Sequence, residues 1–158
     1  MRTPERTARL AAVIAGAAAV AAIAGCGGDS PVSEQEFRSE VSRVCRDIEQ
    51  QLDQIQETTP ITAGQAETQA EAAVELSEQA LGNLRQIDPP EELEPAFDRY
   101  LSQRERAIGF IEEAREAAAD KDSDAYARAK RQLAAGQPLR RELALRLELR
   151  RCSRPSRV

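Results

Sequence analysis

The 158-residue sequence contains no histidine and no tryptophan, a single methionine at position 1, and only 3% aromatic residues. Each absence closes a class of chemistry. Without imidazole there is no Ser-His-Asp or Cys-His relay, no His-ligated zinc, and no di-iron bundle of the usual kind, whose Glu-x-x-His pairs need histidine. With Met1 alone, no thioether site for copper is expected. The three cysteines, Cys26, Cys45 and Cys152, form no Cys-x-x-Cys motif, which argues against a redox centre. What the chain does have is charge, at 31% of residues with a formal net charge of −5, together with alanine-rich apolar periodicity. No cofactor and no bound metal are expected.

The amino terminus changes abruptly in character. Arg2, Arg6 and Arg9 form a positive region, and from Leu10 to Ala24 every residue is Leu, Ala, Val, Ile or Gly. At about fifteen residues this run is too short for a stable membrane span and the right length for the core of a secretory signal. It ends on Ile23-Ala24-Gly25-Cys26. Here the chain resembles bacterial lipoprotein precursors, whose lipobox has an aliphatic residue, two small residues and a cysteine. The resemblance implies a diacylglyceryl group on the Cys26 sulfur, cleavage after Gly25 and acylation of the new amino terminus. It also implies a lipid-anchored protein on the extracytoplasmic face of the cell membrane. Hydrocarbon burial of roughly 0.8 kcal/mol per CH₂ makes two or three acyl chains a stable anchor where one is marginal. The alternatives are an ordinary signal peptide with a stray cysteine, or a short uncleaved anchor.

If Cys26 carries lipid, two cysteines remain in an oxidising compartment. Cys45 and Cys152 are then candidate disulfide partners closing a loop of 107 residues. Such a closure is typically worth about 2–4 kcal/mol. The alternative is a pair of free thiols. Between Cys26 and the first regular element, Gly27 to Val32 form a short tether, whose six residues reach at most about 20 Å. The expected organisation is a leader over 1–25, the lipidated cysteine and tether over 26–32, a helical bundle over 33–152 and a basic tail over 153–158. Any partner is then expected close to the membrane surface.

Helical periodicity runs through the remainder. Ser33 and Glu36 have capping-box spacing, and Phe37, Val41, Val44, Cys45, Ile48, Leu52 and Ile55 recur in steps of three and four, predicting a helix to about Glu57. A second helix opens at Thr62 and Gln65 with an inner face of Ala66, Ala70, Ala73, Ser77, Leu81 and Leu84. Asp88-Pro89-Pro90 stops it. A third begins around Pro95, and Leu93, Phe97, Tyr100, Leu101, Ile108, Ile111 and Ala118 are expected to line its inner side. The fourth begins near Asp124 with Tyr126, Ala129 and Leu133 inward, kinks at Gly136-Gln137-Pro138, and resumes with Leu139, Leu143 and Leu147. These patterns predict an all-α, up-down antiparallel four-helix bundle, with the last helix packed beside the first.

The mature part also resembles a loose group of small helical-bundle lipoproteins from high-GC bacteria. The residues concerned are Cys45, the turn from Pro89 to Leu93, the helix start from Phe97 to Leu101, and the closing stretch from Leu147 to Cys152. That resemblance implies the bundle and the bridge, and carries over no catalytic residue.

Charge is unevenly distributed. Residues 26–127 carry 24 acids and 9 bases, whereas residues 128–158 carry 2 acids and 10 bases. One reading is internal complementation between a basic fourth helix and three acidic ones. The other directs Arg150, Arg151, Arg154 and Arg157 at anionic lipid headgroups or wall polymers, at roughly 1 kcal/mol per base near a charged surface. Nucleic acid is not expected, because no aromatic platform accompanies these arginines. Asp120, Asp122 and Asp124 match the first positions of a calcium loop, but Ala125 and Arg131 stand where its glycine and bidentate glutamate belong. A loop whose Asp or Ser caps the fourth helix explains them better. Glu112, Glu113 and Glu116 read as an outward charged face.

Two functions follow. The first is a non-catalytic envelope lipoprotein whose surface binds another envelope protein, a wall polymer or anionic lipid. The alternative is a module holding a small apolar molecule or peptide between the second helix and the Pro138 kink, in a groove lined by Ala70, Ala73, Leu133 and Leu139. No residue spacing singles out an enzyme.

Overall fold

The chain divides into two units, Met1–Ser30 and Pro31–Val158. The computed structural model of the protein describes residues 32–154, all within the second. The expected leader, Cys26 and most of the tether lie outside the described residues, as does the tail from residue 155 with Arg157.

Five helical segments succeed one another: α1 (Glu34–Ile55), α2 (Ala63–Arg85), α3 (Glu94–Ala119), α4 (Ser123–Ala135) and α5 (Gln137–Arg146). They form an all-α, up-down antiparallel four-helix bundle, with α4 and α5 as the two halves of a kinked fourth helix. No helix among the described residues is long and apolar enough to cross a membrane.

Local chemistry sets the boundaries. Ser33 Oγ accepts the Glu36 amide at 3.2 Å and opens α1. Thr62 Oγ1 accepts the Gln65 amide at 3.2 Å, while Gln65 Oε1 accepts the Ile61 amide at 2.9 Å, one residue outside the usual capping box. Pro95 stands in the first turn of α3, where its missing N–H removes no helical bond. At the other end of α3, Lys121 takes a left-handed conformation (φ 58°). This lets the Lys121 amide reach Ala118 O at 3.1 Å and the Asp122 amide reach Ala117 O at 2.8 Å, the Schellman arrangement. Asp122 Oδ1 then accepts the Asp124 and Ala125 amides at 3.1 and 2.9 Å, starting α4. The Asp120-Asp122-Asp124 run is therefore a helix-to-helix turn with Asp122 as its cap.

The kink at Gly136 is a bend within a continuing helix. Gly136 keeps helical dihedrals (φ −78°, ψ −13°), its amide donates to Gln132 O at 3.1 Å, and its carbonyl accepts from Arg140 at 3.3 Å. Pro138, lacking an N–H, interrupts the ladder and produces the bend. A second Schellman turn closes α5. Glu148 is left-handed (φ 59°), and the Leu149 amide donates to Ala144 O at 2.8 Å, so the chain turns back and buries Leu149 completely.

The large core side chains gather at one end of the bundle. Phe37 and Val41 of α1, Leu84 of α2, Phe97 and Tyr100 of α3, and Leu147 and Leu149 after α5 are all essentially buried. The Phe37 and Phe97 rings meet edge to face at 4.9 Å between centroids. Cys45 and Cys152 are joined through a disulfide in this same cluster, with Cα atoms 5.2 Å apart. A bridged sulfur carries no proton, so the buried Tyr100 hydroxyl is the donor in its 3.7 Å contact with Cys45 Sγ.

Two expectations about the fourth helix are corrected. It does not pack beside α1: α2 lies against α1 and α3, and α4 and α5 lie against α3. The segment after α5 makes the contact with α1 instead. Arg38 Nε donates to Leu147 O at 3.2 Å, its guanidinium pairs with Glu148 at 3.7 Å, and Cys152 is bonded to Cys45. Leu139, expected inside, is 46% exposed, because the bend turns the start of α5 outward and leaves Ala144 as its buried residue.

Candidate functional site

Because α4 does not close against α1, the alanine-rich end of the bundle keeps an opening. It is a cleft of about 100 Å³. Ala70, Ala73 and Ser77 of α2, with Ala107, Ile111 and Ala114 of α3, form its inner wall. Leu52 and Gln56 of α1 stand on one side, and Tyr126, Lys130 and Leu133 of α4 on the other. Arg104 of α3 and Arg140 of α5 complete the lining. The opening follows from side-chain size: alanine methyls fill little of the space between helices whose separation Phe, Tyr and Leu set at the opposite end. Gln69 ties the rim together, its Nε2 donating to Ile55 O at 2.7 Å and Thr58 O at 3.0 Å at the end of α1.

All charged groups lining the cleft are positive: Arg104, Lys130 and Arg140, with no aspartate or glutamate among the lining residues. Burial pushes the Lys130 ammonium below its ordinary pKa. The Arg140 guanidinium is lowered first by burial and then by the like charge of Arg104, an effect that Tyr100 partly offsets. Arg140 folds back over the bend, its Nη2 donating to Leu133 O at 3.0 Å. Its Nη1 lies so close to Gly136 that a Cβ at that position would stand 2.7 Å from it. Ser77 is only 6% exposed and turns its hydroxyl-bearing side chain to the cleft wall. The site thus offers several hydrogen-bond donors beside an apolar wall, and no carboxylate.

Ala70, Ala73 and Leu133 stand in the groove that periodicity placed beside the kink, while Arg140 takes the place expected for Leu139. Arg104, Lys130 and Arg140 were not legible as site residues from charge content alone. Their spacing carries the signal. Tyr126, Lys130, Leu133 and Arg140 recur at steps of four, three and seven, and Arg104 continues the α3 stripe of Phe97 and Tyr100. A cation on an inward stripe is the mark by which the sequence shows such a residue.

The basic surface residues lie elsewhere. Arg150, Arg151 and Arg154 are exposed in the segment after α5, beside the disulfide. Arg151 shares a shallow groove with Ser39, Arg43 and Arg46 of α1, which Glu36 and Glu40 also line, Glu40 pairing with Arg43 at 3.7 Å. Internal charge complementation is slight. Among the described residues from 128 onward, Arg154 alone pairs with a carboxylate on another helix, Glu49 at 3.3 Å, and Arg146 pairs within α5 with Glu142 at 2.6 Å. Among the described residues, no group of three or more His, Cys, Asp or Glu is arranged to hold a metal ion.

No family model matches this chain, and searches of curated proteins and of solved structures find no match.

Proposed function

We propose that the protein is a non-catalytic lipoprotein of the bacterial cell envelope, anchored through Cys26 on the extracytoplasmic face, that binds a small ligand in the cleft between α2 and the α4–α5 bend. The cleft itself carries the binding reading: it is open, apolar on one wall, and lined by Ser77, Tyr126, Arg104, Lys130 and Arg140 as hydrogen-bond donors. The lipobox resemblance at Ile23-Ala24-Gly25-Cys26 supports the anchor. The bridge between Cys45 and Cys152 accords with an oxidising compartment. Intact mass of the protein from its native membrane, before and after reduction, tests the address. The expected result is loss of the leader, a gain of acyl mass that disappears in Cys26→Ala, and a two-dalton rise on reduction. An unmodified Cys26 would remove the anchor and with it the envelope assignment.

A second reading has its own observation. Arg150 and Arg151 are exposed beside the disulfide, in the segment that follows α5. These residues would hold an anionic lipid surface, a wall polymer or an acidic envelope protein near the tether, at roughly 1 kcal/mol per base. Flotation of the Cys26→Ala protein with phosphatidylcholine vesicles, with and without phosphatidylglycerol, tests this reading. Binding that requires phosphatidylglycerol and is lost in Arg150→Gln/Arg151→Gln supports it; equal flotation with both vesicles removes it.

A further inference from the structure

Resting on the ligand-binding reading of the cleft, we propose that its ligand is a small anionic amphiphile: one carboxylate or phosphate head, bound among Arg104, Lys130 and Arg140, on a short apolar body against the alanine wall. Three helical segments each send one cation to the same opening, Arg104 from α3, Lys130 from α4 and Arg140 from α5. No acid lines the opening with them. Arg104 is close enough to Arg140 to repel it, and Lys130 is desolvated. Both conditions disfavour the protein alone, and both are relieved by an anion placed between the cations. A neutral or cationic ligand relieves neither.

The hydroxyls define the head more closely. Ser77 and Tyr126 line the cleft, and their hydroxyls are donors that suit a carboxylate or phosphate oxygen. Arginine supplies paired N–H groups to the same oxygens, which makes a planar or tetrahedral oxyanion a better match than a halide. Apolar contact comes from Ala70, Ala73, Ala107 and Ile111. Space for about 100 Å³ corresponds to roughly three or four methylene-sized groups, at the ~30 Å³ a water molecule takes in the liquid. Roughly the first three or four carbons of a six-carbon chain then occupy the cleft and the remainder reaches its mouth.

The test keeps the body fixed and changes the head. Hexanoate, hexyl phosphate, hexanol and hexylammonium are titrated into the full chain in phosphatidylcholine nanodiscs, and alanine and isoleucine methyl resonances are followed by NMR. Saturable shifts of Ala70, Ala107 and Ile111 are expected with the two anions and not with hexanol or hexylammonium. The ratio of hexanoate to hexyl phosphate affinity separates a carboxylate from a phosphate ligand. Lys130→Met and Arg104→Gln should each weaken the anions at least about tenfold, in line with a lost charge-assisted hydrogen bond, with the thermal transition retained. Arg150→Gln should leave the affinity as it is. If hexanol or hexylammonium binds as tightly as hexanoate, the anionic inference is overturned while the ligand-binding reading stands. If no probe shifts the cleft methyls at millimolar concentration, both fall. Shifts confined to residues around Arg150 and Arg151 would overturn the inference by assigning the anion to the surface arginines. Ala107→Leu, which fills the cleft while keeping all three cations, should abolish binding; undiminished affinity would overturn the placement of the apolar body.

Discussion

The two ends of this bundle are built on opposite principles. At one, Phe37, Phe97, Tyr100, Leu147 and Leu149 fill the space between the helices, and a disulfide fastens α1 to the closing segment. At the other, alanines face one another, α4 stays clear of α1, and three cations surround the resulting cleft. The first end gains its stability from buried area, with each large apolar side chain worth about 1.5–3 kcal/mol. The second carries costs, since charges are desolvated and like charges are brought together. Such an end persists because the other holds the helices in place. The division separates a scaffold from a site.

Truncating one large residue at each end is the strongest way to break this contrast. Phe97→Ala should cost about 3–5 kcal/mol, as expected for a fully buried aromatic ring whose neighbours cannot collapse around the gap. Leu133→Ala at the half-buried rim of the cleft should cost below about 2 kcal/mol, because solvent already reaches that space. Urea unfolding of both variants gives the comparison. Equal losses would mean that the cleft end is as firmly packed as the other.

Opening the bridge comes next. Cys45→Ala/Cys152→Ala should destabilise the fold by about 2–4 kcal/mol, since the closed loop spans 107 residues. The effect should be confined to the clamped end: hydrogen exchange should quicken around Phe37 and Leu149, with α2 and α3 at the cleft little changed. Exchange that quickens uniformly would show that the ends are a single cooperative unit.

Much of the scaffold was legible in the sequence, because it is encoded locally. Ser33, Thr62 and Asp122 cap helices from within two or three residues, Pro89-Pro90 stops one, and Phe37, Val41, Cys45 and Ile48 repeat at helical spacing. The site was less legible because it depends on distances between segments far apart in the chain. Whether α4 meets α1 is decided by side-chain volumes across the whole bundle and by the bend at Pro138, and no window of α4 contains that information. Leu139 shows the same limit, since its stripe is apolar but the bend points it outward. Net charge also misled. It balances α4 and α5 against the acidic helices on paper, while Lys130 and Arg140 face the cleft instead.

Lys130 sharpens the comparison with a change of opposite sign. Lys130→Met keeps an unbranched side chain one atom shorter and removes a desolvated charge, so stability should rise, by at most about 1 kcal/mol. The pH dependence supplies an independent check. The Lys130 pKa is lowered in the folded state, so between that lowered value and 10.5 the unfolded chain binds more protons and stability increases with pH. The methionine variant should lose this increment, seen as a smaller alkaline gain in the urea midpoint than the parent shows. An identical pH profile would place the ammonium in solvent.

The smallest effect on stability is expected at Gly136, and it is informative because stability and geometry should respond differently. Its dihedrals are those of an ordinary helical residue, so alanine meets no backbone strain, and helix propensity favours the change by about 1 kcal/mol. Against this, the new Cβ would fall 2.7 Å from Arg140 Nη1, the far end of a flexible side chain that can move aside. Moving aside breaks the bond from Arg140 to Leu133 O, worth about 1 kcal/mol. The two contributions nearly cancel, and the melting temperature of Gly136→Ala should stay within about 3 °C of the parent. The guanidinium nevertheless has to leave its place at the cleft. If glycine at the bend serves to seat that cation, anion affinity should drop severalfold in a protein of unchanged stability. If it serves only to bend the helix, affinity should hold, and Gly136 belongs with the scaffold.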